Sequence, residues 1–268
     1  MIVKRNGKLT KGYTPITELN GKHKEMLLDF GVLKLEKNDT FESQLDLERA
    51  YLLITGKIKF IYEDKTYEAE RYSCFDEEPI VLHVSKNVKV KIEALDDSEI
   101  CIERCKNDKD FESKIYNKEN VRTDIFGKDV LNNTSIRSVR TVFDGEIAPY
   151  SNMVIGEVIN HPGKFSSYPP HDHPQPEIYY YKFFPQQGFG VSLLEDDAFI
   201  VKDGDTSLIH PNKTHSQVAA PGYAMYYIWM IPHLEDDRWL PTTRYYREEH
   251  QWLLNKDVKI WPEKKFKK

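Results

Sequence analysis

From Ala50 onward the chain consists mostly of short runs in which β-branched and aromatic residues alternate with polar ones, each closed by turn residues. In the first series AYLLITGKIKFIYEDKTYEAE leads into IVLHV, VKVKIEAL and EICIERC. In the second, SIRSVRTVF and NMVIGEVI are followed by EIYYYKFF, GFGVSLLE, DAFIVKD, TSLIHP, SQVAA and AMYYIWMI. Successive side chains of a strand point to opposite faces, so such runs mark strands. Many of them at regular spacing point to an all-β barrel or sandwich rather than to βαβ units.

The two series match in outline. GKIKFIYEDKTYEAERYSCFDEEPIVLHV and GFGVSLLEDDAFIVKDGDTSLIHPNKTH each begin at a glycine and run a strand into an acidic turn. A second strand, an Asp-containing turn and a third strand follow. This predicts a duplicated β-domain, 1–120 and 121–268, joined through the polar interval Asn107–Asn133. Helical character is expected only around Lys24–Phe30 and over the last ~25 residues.

Composition narrows the function. With 38 basic and 43 acidic residues the formal charge is −5, which argues against nucleic acid or an anionic membrane as partner. The basic ending EKKFKK reads as a solvated end. No run approaches the ~20 apolar residues of a membrane span, and the first residues show no signal-peptide apolar region. Three cysteines fit a reducing, cytoplasmic setting, and Cys101 and Cys105 read as buried thiols rather than as a metal pair.

The halves differ in histidine. The first series holds His83 alone, whereas six histidines fall between His161 and His233. In SSYPPHDHPQPEIYYYKF, His171 and His173 share a strand face, and Pro174 and Pro176 end that strand. Glu177 opens the next one beside it. His215, after the Gly204-Asp205 turn and the loop at Pro211 and Asn212, is the candidate fourth ligand and is expected to begin a strand. A single histidine usually serves packing or the surface, as His161, His210 and His233 are expected to do. Two imidazoles and a carboxylate placed by prolines are better read as ligands for one divalent metal, Zn or Mn foremost, with Fe, Co and Ni also suited.

These segments together resemble a known family. H-x-H-x3-E, Gly188, then Gly-Asp…Pro…His is similar to the paired motifs of the cupin superfamily. SSYPPHDH, EIYYYKFFPQQGFG, HSQVAAPGYAMYYIWM and DDRW resemble the 5-deoxy-glucuronate isomerase family of myo-inositol catabolism, over about Asp124 to Trp252 and more loosely before it. Two departures stand out: Lys213 lies where that family usually has a glycine, and Ser216 follows His215 in place of proline. The resemblance implies a bicupin whose first domain lacks a metal site. It implies one divalent metal on His171, His173, Glu177 and His215, and conversion of 5-deoxy-D-glucuronate to 5-dehydro-2-deoxy-D-gluconate. Exposed sheet in bicupins often pairs, so a homo-oligomer is expected too.

Such an isomerase needs a base, polar groups and an anchor for the substrate's carboxylate. Tyr179 and Tyr181 share the parity of Glu177, and Gln217 that of His215; Tyr227 is a further candidate. A loosely held Glu177 could act as base. Arg238 is favoured for the carboxylate over Lys182, which alternation turns outward, with Arg244 and Arg247 nearby. The alternatives are the related uronate ketol-isomerase of pectin breakdown, an iron dioxygenase and a sugar-binding sensor.

Overall fold

The computed structural model describes residues 1–261 except Asn6, Lys8 and Lys256; the basic ending lies outside the described residues. The expected all-β character holds: strands dominate, with three short 3-10 turns. In the first half, strand Glu48–Tyr62 runs through two layers. Its first part pairs with Val81–Val84 and Ser98–Cys105, and its second with Lys65–Arg71 and Val90–Ala94. The bend between them falls at Gly56, with φ +113°, where a Cβ would lie 2.2 Å from Ser98 Oγ. Only glycine fits there.

The second half repeats this order, with the long strand cut in two. Glu177–Phe184 pairs with Thr206–Ile209 and Ala224–Pro232, while Phe189–Leu194 pairs with Asp197–Lys202 and Gln217–Ala219. Beyond Ala224–Pro232 the sheet continues through Met153–Asn160 and Arg137–Phe143 to Arg122–Phe126 at its edge.

Three sequence-based expectations need correction. The interval 107–133 is not a bare linker, because it contains strands Lys114–Tyr116 and Arg122–Phe126. Strand Arg122–Phe126 is an edge strand with a mostly exposed surface, so it carries no apolar signature. Around Lys24 only a 3-10 turn, Lys24–Met26, forms, because His23 and Leu27 on either side are both left-handed. The first residues do not belong with the first half. Strand Ile2–Val3 pairs with Thr206 and Ser207, and Lys4 and Arg5 bind Asp205 and Asp203 there.

Alternation also decides what lies between the halves. Phe30, Leu52 and Cys101 of the first pack with Ile155, Tyr180 and Met230 of the second in a shared core. Lys182 therefore faces the first half rather than solvent, and Glu99 lies 3.1 Å away. Cys101 and Cys105 are free and buried, as expected, and so is Cys74.

A buried ion pair links the halves. Arg71 Nη1 and Nη2 donate to Glu157 Oε1 and Oε2 at 2.7 and 2.9 Å, and Tyr226 donates to Oε1 at 2.6 Å. Arg71 also donates to the carbonyls of Leu53 and Glu77. Breaking a buried pair from one side costs about 3–5 kcal/mol, and here the lower part of that range applies because Arg140 Nη1 still lies 3.2 Å from Glu157. Arg71→Met should lower the melting temperature by roughly 6 °C or more; a drop under about 3 °C in thermal unfolding would contradict this account of the interface.

Glu103 has the opposite effect. It is fully buried, and neither carboxyl oxygen has a hydrogen-bond partner among the described residues. Burial, and then the Glu48 charge, hold its pKa well above the ordinary 4.5. The folded state therefore keeps this proton to higher pH than the unfolded chain, and stability is lost as pH rises above that ordinary value. Glu103→Met should stabilise the protein at both pH values, and by more at pH 8 than at pH 4. An equal change at both pH values in melting experiments would refute the linkage.

Candidate metal centre and cavity

In the first half the barrel interior is filled by Leu33, Tyr51, Phe60, Leu82 and Ile102. At its mouth the fully buried Arg49, opposite Val84, donates to the carbonyls of Ser43, Ser85 and Val88. The equivalent place in the second half, opposite Ile209, is occupied by Glu177. In the first barrel that place is taken by a guanidinium bound to carbonyls. The carboxylate at that place in the second admits a cation.

Glu177 is nearly fully buried, with His215 Nε2 3.0 Å and His173 Nε2 3.3 Å from its Oε2. Among the described residues these three form the one group of side chains placed to hold a metal. His171 stands beside them, its ring centroid 5.1 Å from that of His215. Each imidazole is oriented the same way: Nδ1 of His171, His173 and His215 lies 2.8–2.9 Å from the carbonyls of Pro169, Gln175 and Lys213. A carbonyl can only accept, so Nδ1 carries a proton in each ring and Nε2 is the nitrogen left to serve a metal once it is deprotonated. The residues present thus fit a divalent metal.

The local sequence explains the placement. Only His171 and Asp172 form a ladder, with Tyr245 and Tyr246, yet the alternation extends one residue further. His171 and His173 both line the cavity, while Asp172 faces Arg247 at 3.6 Å. Strand Glu177–Phe184 begins directly after Pro176. His215 precedes its strand, which starts at Gln217 rather than at the histidine.

Electrostatics reinforce the arrangement. Burial alone would raise the pKa of Glu177, but His215 and His173 outweigh it and hold the carboxyl well below its usual range. His171 is kept neutral by burial, with His215 and Arg244 adding to the effect.

The ligand groups open on a cavity of about 290 Å³, near the lower end of small-molecule sites at ~300 Å³. Tyr179 and Tyr227 line it, their hydroxyls bonded to Ser167 and Ser166 at 3.1 and 2.8 Å. Burial raises both phenols, that of Tyr227 to about 12, so at neutral pH they donate protons rather than accept them. Tyr181 and Gln217 lie one layer deeper, bonded to each other at 2.8 Å and away from the cavity wall. Arg238 does not reach the cavity either; its guanidinium donates to the Ser151 carbonyl at 2.7 Å. Adjacent Trp239 lines the cavity instead.

Sequence reasoning missed one wall. Arg122, Asp124 and Phe126 project from the edge strand with period two, and Arg137, Asp144 and Trp229 join them. Three buried atoms there have no hydrogen-bond partner: Asp144 Oδ2, Trp229 Nε1 and Trp239 Nε1. Buried polar atoms are normally satisfied, so these three are exceptions in a wall that also carries two arginines and two carboxylates. His83 pairs with Glu48 at 2.7 Å, His161 lies by Ser138, and His233 accepts from the Trp239 amide. None of these histidines lines the cavity.

Two curled β units, one closed by an arginine and one open around imidazoles and a carboxylate, are the architecture of a double cupin. A cupin 2 conserved barrel domain protein from Leptotrichia buccalis shares the fold, with a TM-score of 0.53, 14% identity, and 87% of this chain and 96% of that one covered. The KduI/IolB family model matches residues 1–253, and the chain belongs to that family. An IolB-like protein from Salmonella typhimurium LT2 superposes with a TM-score of 0.83 at 19% identity, covering 95% of this chain and 99% of that one. A relative from Bacillus licheniformis, named 5-deoxy-glucuronate isomerase, is 23% identical over 269 residues, 92% of this chain and 96% of its own. No helix among the described residues is long and apolar enough to cross a membrane.

Proposed function

We propose that the protein is an aldose–ketose isomerase that converts 5-deoxy-D-glucuronate to 5-dehydro-2-deoxy-D-gluconate. His171, His173, Glu177 and His215 would hold a divalent first-row metal, Zn or Mn foremost. The observation that carries this reading is the set of three imidazoles oriented by carbonyls around one buried carboxylate, on the wall of a small polar cavity. The name borne by the B. licheniformis relative over nearly its whole length supports the substrate.

The reaction moves a carbonyl by one carbon: one proton leaves C2 and one leaves its hydroxyl, while one arrives at C1 and one at the former aldehyde oxygen. A bound divalent cation supplies Lewis acidity toward the substrate's oxygens. The protein's own groups account for the protons. Tyr179 and Tyr227 keep their protons and can donate hydrogen bonds to the oxygens that gain charge.

Three carboxylates line the cavity. Glu177 is committed to the imidazoles, and Asp124 is ion-paired with Arg122 at 3.2 Å. Asp144 is held through Oδ1 by the Glu146 and Ile147 amides, while Oδ2 has no hydrogen bond and lies 3.7 Å from Arg122. We assign proton removal at C2 to Asp144, a buried carboxylate at the cavity wall whose Oδ1 is fixed and whose Oδ2 has no hydrogen bond, so that the wall must move to uncover it to the substrate.

The reading is tested by incubating metal-loaded protein with a panel of uronates and deoxy-uronates and following aldehyde loss by NMR, without added cofactor. The expected result is isomerisation of 5-deoxy-D-glucuronate in preference to the others. No aldehyde loss from any member, with oxygen uptake on another substrate, would replace the isomerase with an oxygenase.

A further inference from the structure

We propose that Arg137 and Arg244 form the subsite that holds the substrate's carboxylate. The inference rests on the sugar-acid reading above but has its own observations. Both arginines line the cavity that the imidazoles open on. Arg137 begins strand Arg137–Phe143 opposite Phe126, with its guanidinium 5.5 Å from that ring. One of its N–H groups reaches the Ser135 carbonyl at 2.9 Å. A guanidinium has five donors, and no other hydrogen bond engages this one among the described residues. Arg244 lies over the Trp239 ring at 6.0 Å.

Neither arginine has a carboxylate partner among the described residues. The arginines around them are all engaged. Arg122 pairs with Asp124, Arg140 with Glu157, and Arg247 with Asp172 and Glu195, while Arg238 binds a carbonyl. The two cations face one partly enclosed cavity and neither is paired with any of its three carboxylates, so they repel each other. Burial above all, with Arg244 adding to it, lowers the pKa of Arg137 against the opposing influence of Tyr227 and Tyr246. A planar carboxylate relieves this, since its two oxygens match the guanidinium fork. The hydroxyls of a neutral sugar would not.

The test separates this subsite from the reaction. In one arm, kcat/KM is measured on 5-deoxy-D-glucuronate and on 5-deoxy-D-glucose, which carries CH2OH in place of the carboxylate. Wild type should prefer the acid by about 10²-fold or more, from a charge-assisted pair in a partly buried site. Arg244→Gln and Arg137→Lys should each reduce that ratio to below about tenfold, mainly through KM on the acid. In the second arm, calorimetry compares binding of the unreactive acid 6-hydroxyhexanoate with that of hexane-1,6-diol. Wild type should bind the acid the more tightly, and each variant should lose most of that difference. Equal losses on acid and neutral sugar, equal binding of acid and diol by wild type, or acid binding that survives both substitutions would each overturn the subsite. Arginine-dependent binding of the acid by a protein that isomerises nothing would uphold the subsite and refute the isomerase reading instead.

Discussion

His215→Ala is expected to strip the metal and to lower kcat/KM by more than about 10²-fold, because even groups that only support a ligand cost 10–100-fold when removed. Fold stability should change little in comparison. The imidazole is buried, but it borders a cavity and its hydrogen bonding is local, to the Lys213 carbonyl two residues away. The departures from the family at Lys213 and Ser216 do not remove this contact, which orients the ring whatever follows the histidine. Metal content by elemental analysis and far-UV circular dichroism read the two effects separately. A variant that retained one equivalent of metal with undiminished activity would remove His215 from the site.

Asp144→Asn should lower kcat by about 10²–10⁴-fold, the usual contribution of a positioned base. The substitution is nearly isosteric, and the asparagine oxygen can still accept from the amides of Glu146 and Ile147, both at 3.0 Å from Oδ1. The turn should therefore persist, with metal content and melting temperature close to wild type. What the variant loses is the free acceptor at Oδ2. The specific readout is exchange of the substrate's C2 proton with solvent deuterium, which should slow in step with kcat. A kcat within about threefold of wild type, or a loss accompanied by unfolding, would withdraw the assignment.

The strands were legible because their burial alternates. Tyr179, Tyr181 and Tyr227 point inward while Tyr180 and Tyr226 join the core between the halves, as a period of two requires. The same logic placed His171, His173 and Glu177 on one side. Alternation gives a face but not a depth, so Tyr181 and Gln217 read like Tyr179 and yet lie behind it. The edge strand Arg122–Phe126 was hidden because exposure replaces its apolar residues with charged ones, and those charges form a cavity wall. Long-range exchange was also invisible: nothing local to Ile2 and Val3 announces a partner at Thr206 and Ser207. For arginine the sequence pointed to Arg238, whereas the cavity is reached by Arg137, more than a hundred positions upstream, and by Arg244.

X-ray absorption at the edge of a single loaded equivalent of metal tests the central claim most directly. The account expects a first shell of three imidazole nitrogens and carboxylate oxygen at ~2.0–2.2 Å, with the outer-shell scattering of three rings, and loss of that spectrum together with the metal in His215→Ala. A spectrum fitted by oxygen ligands alone, or one unchanged by that substitution, would contradict it.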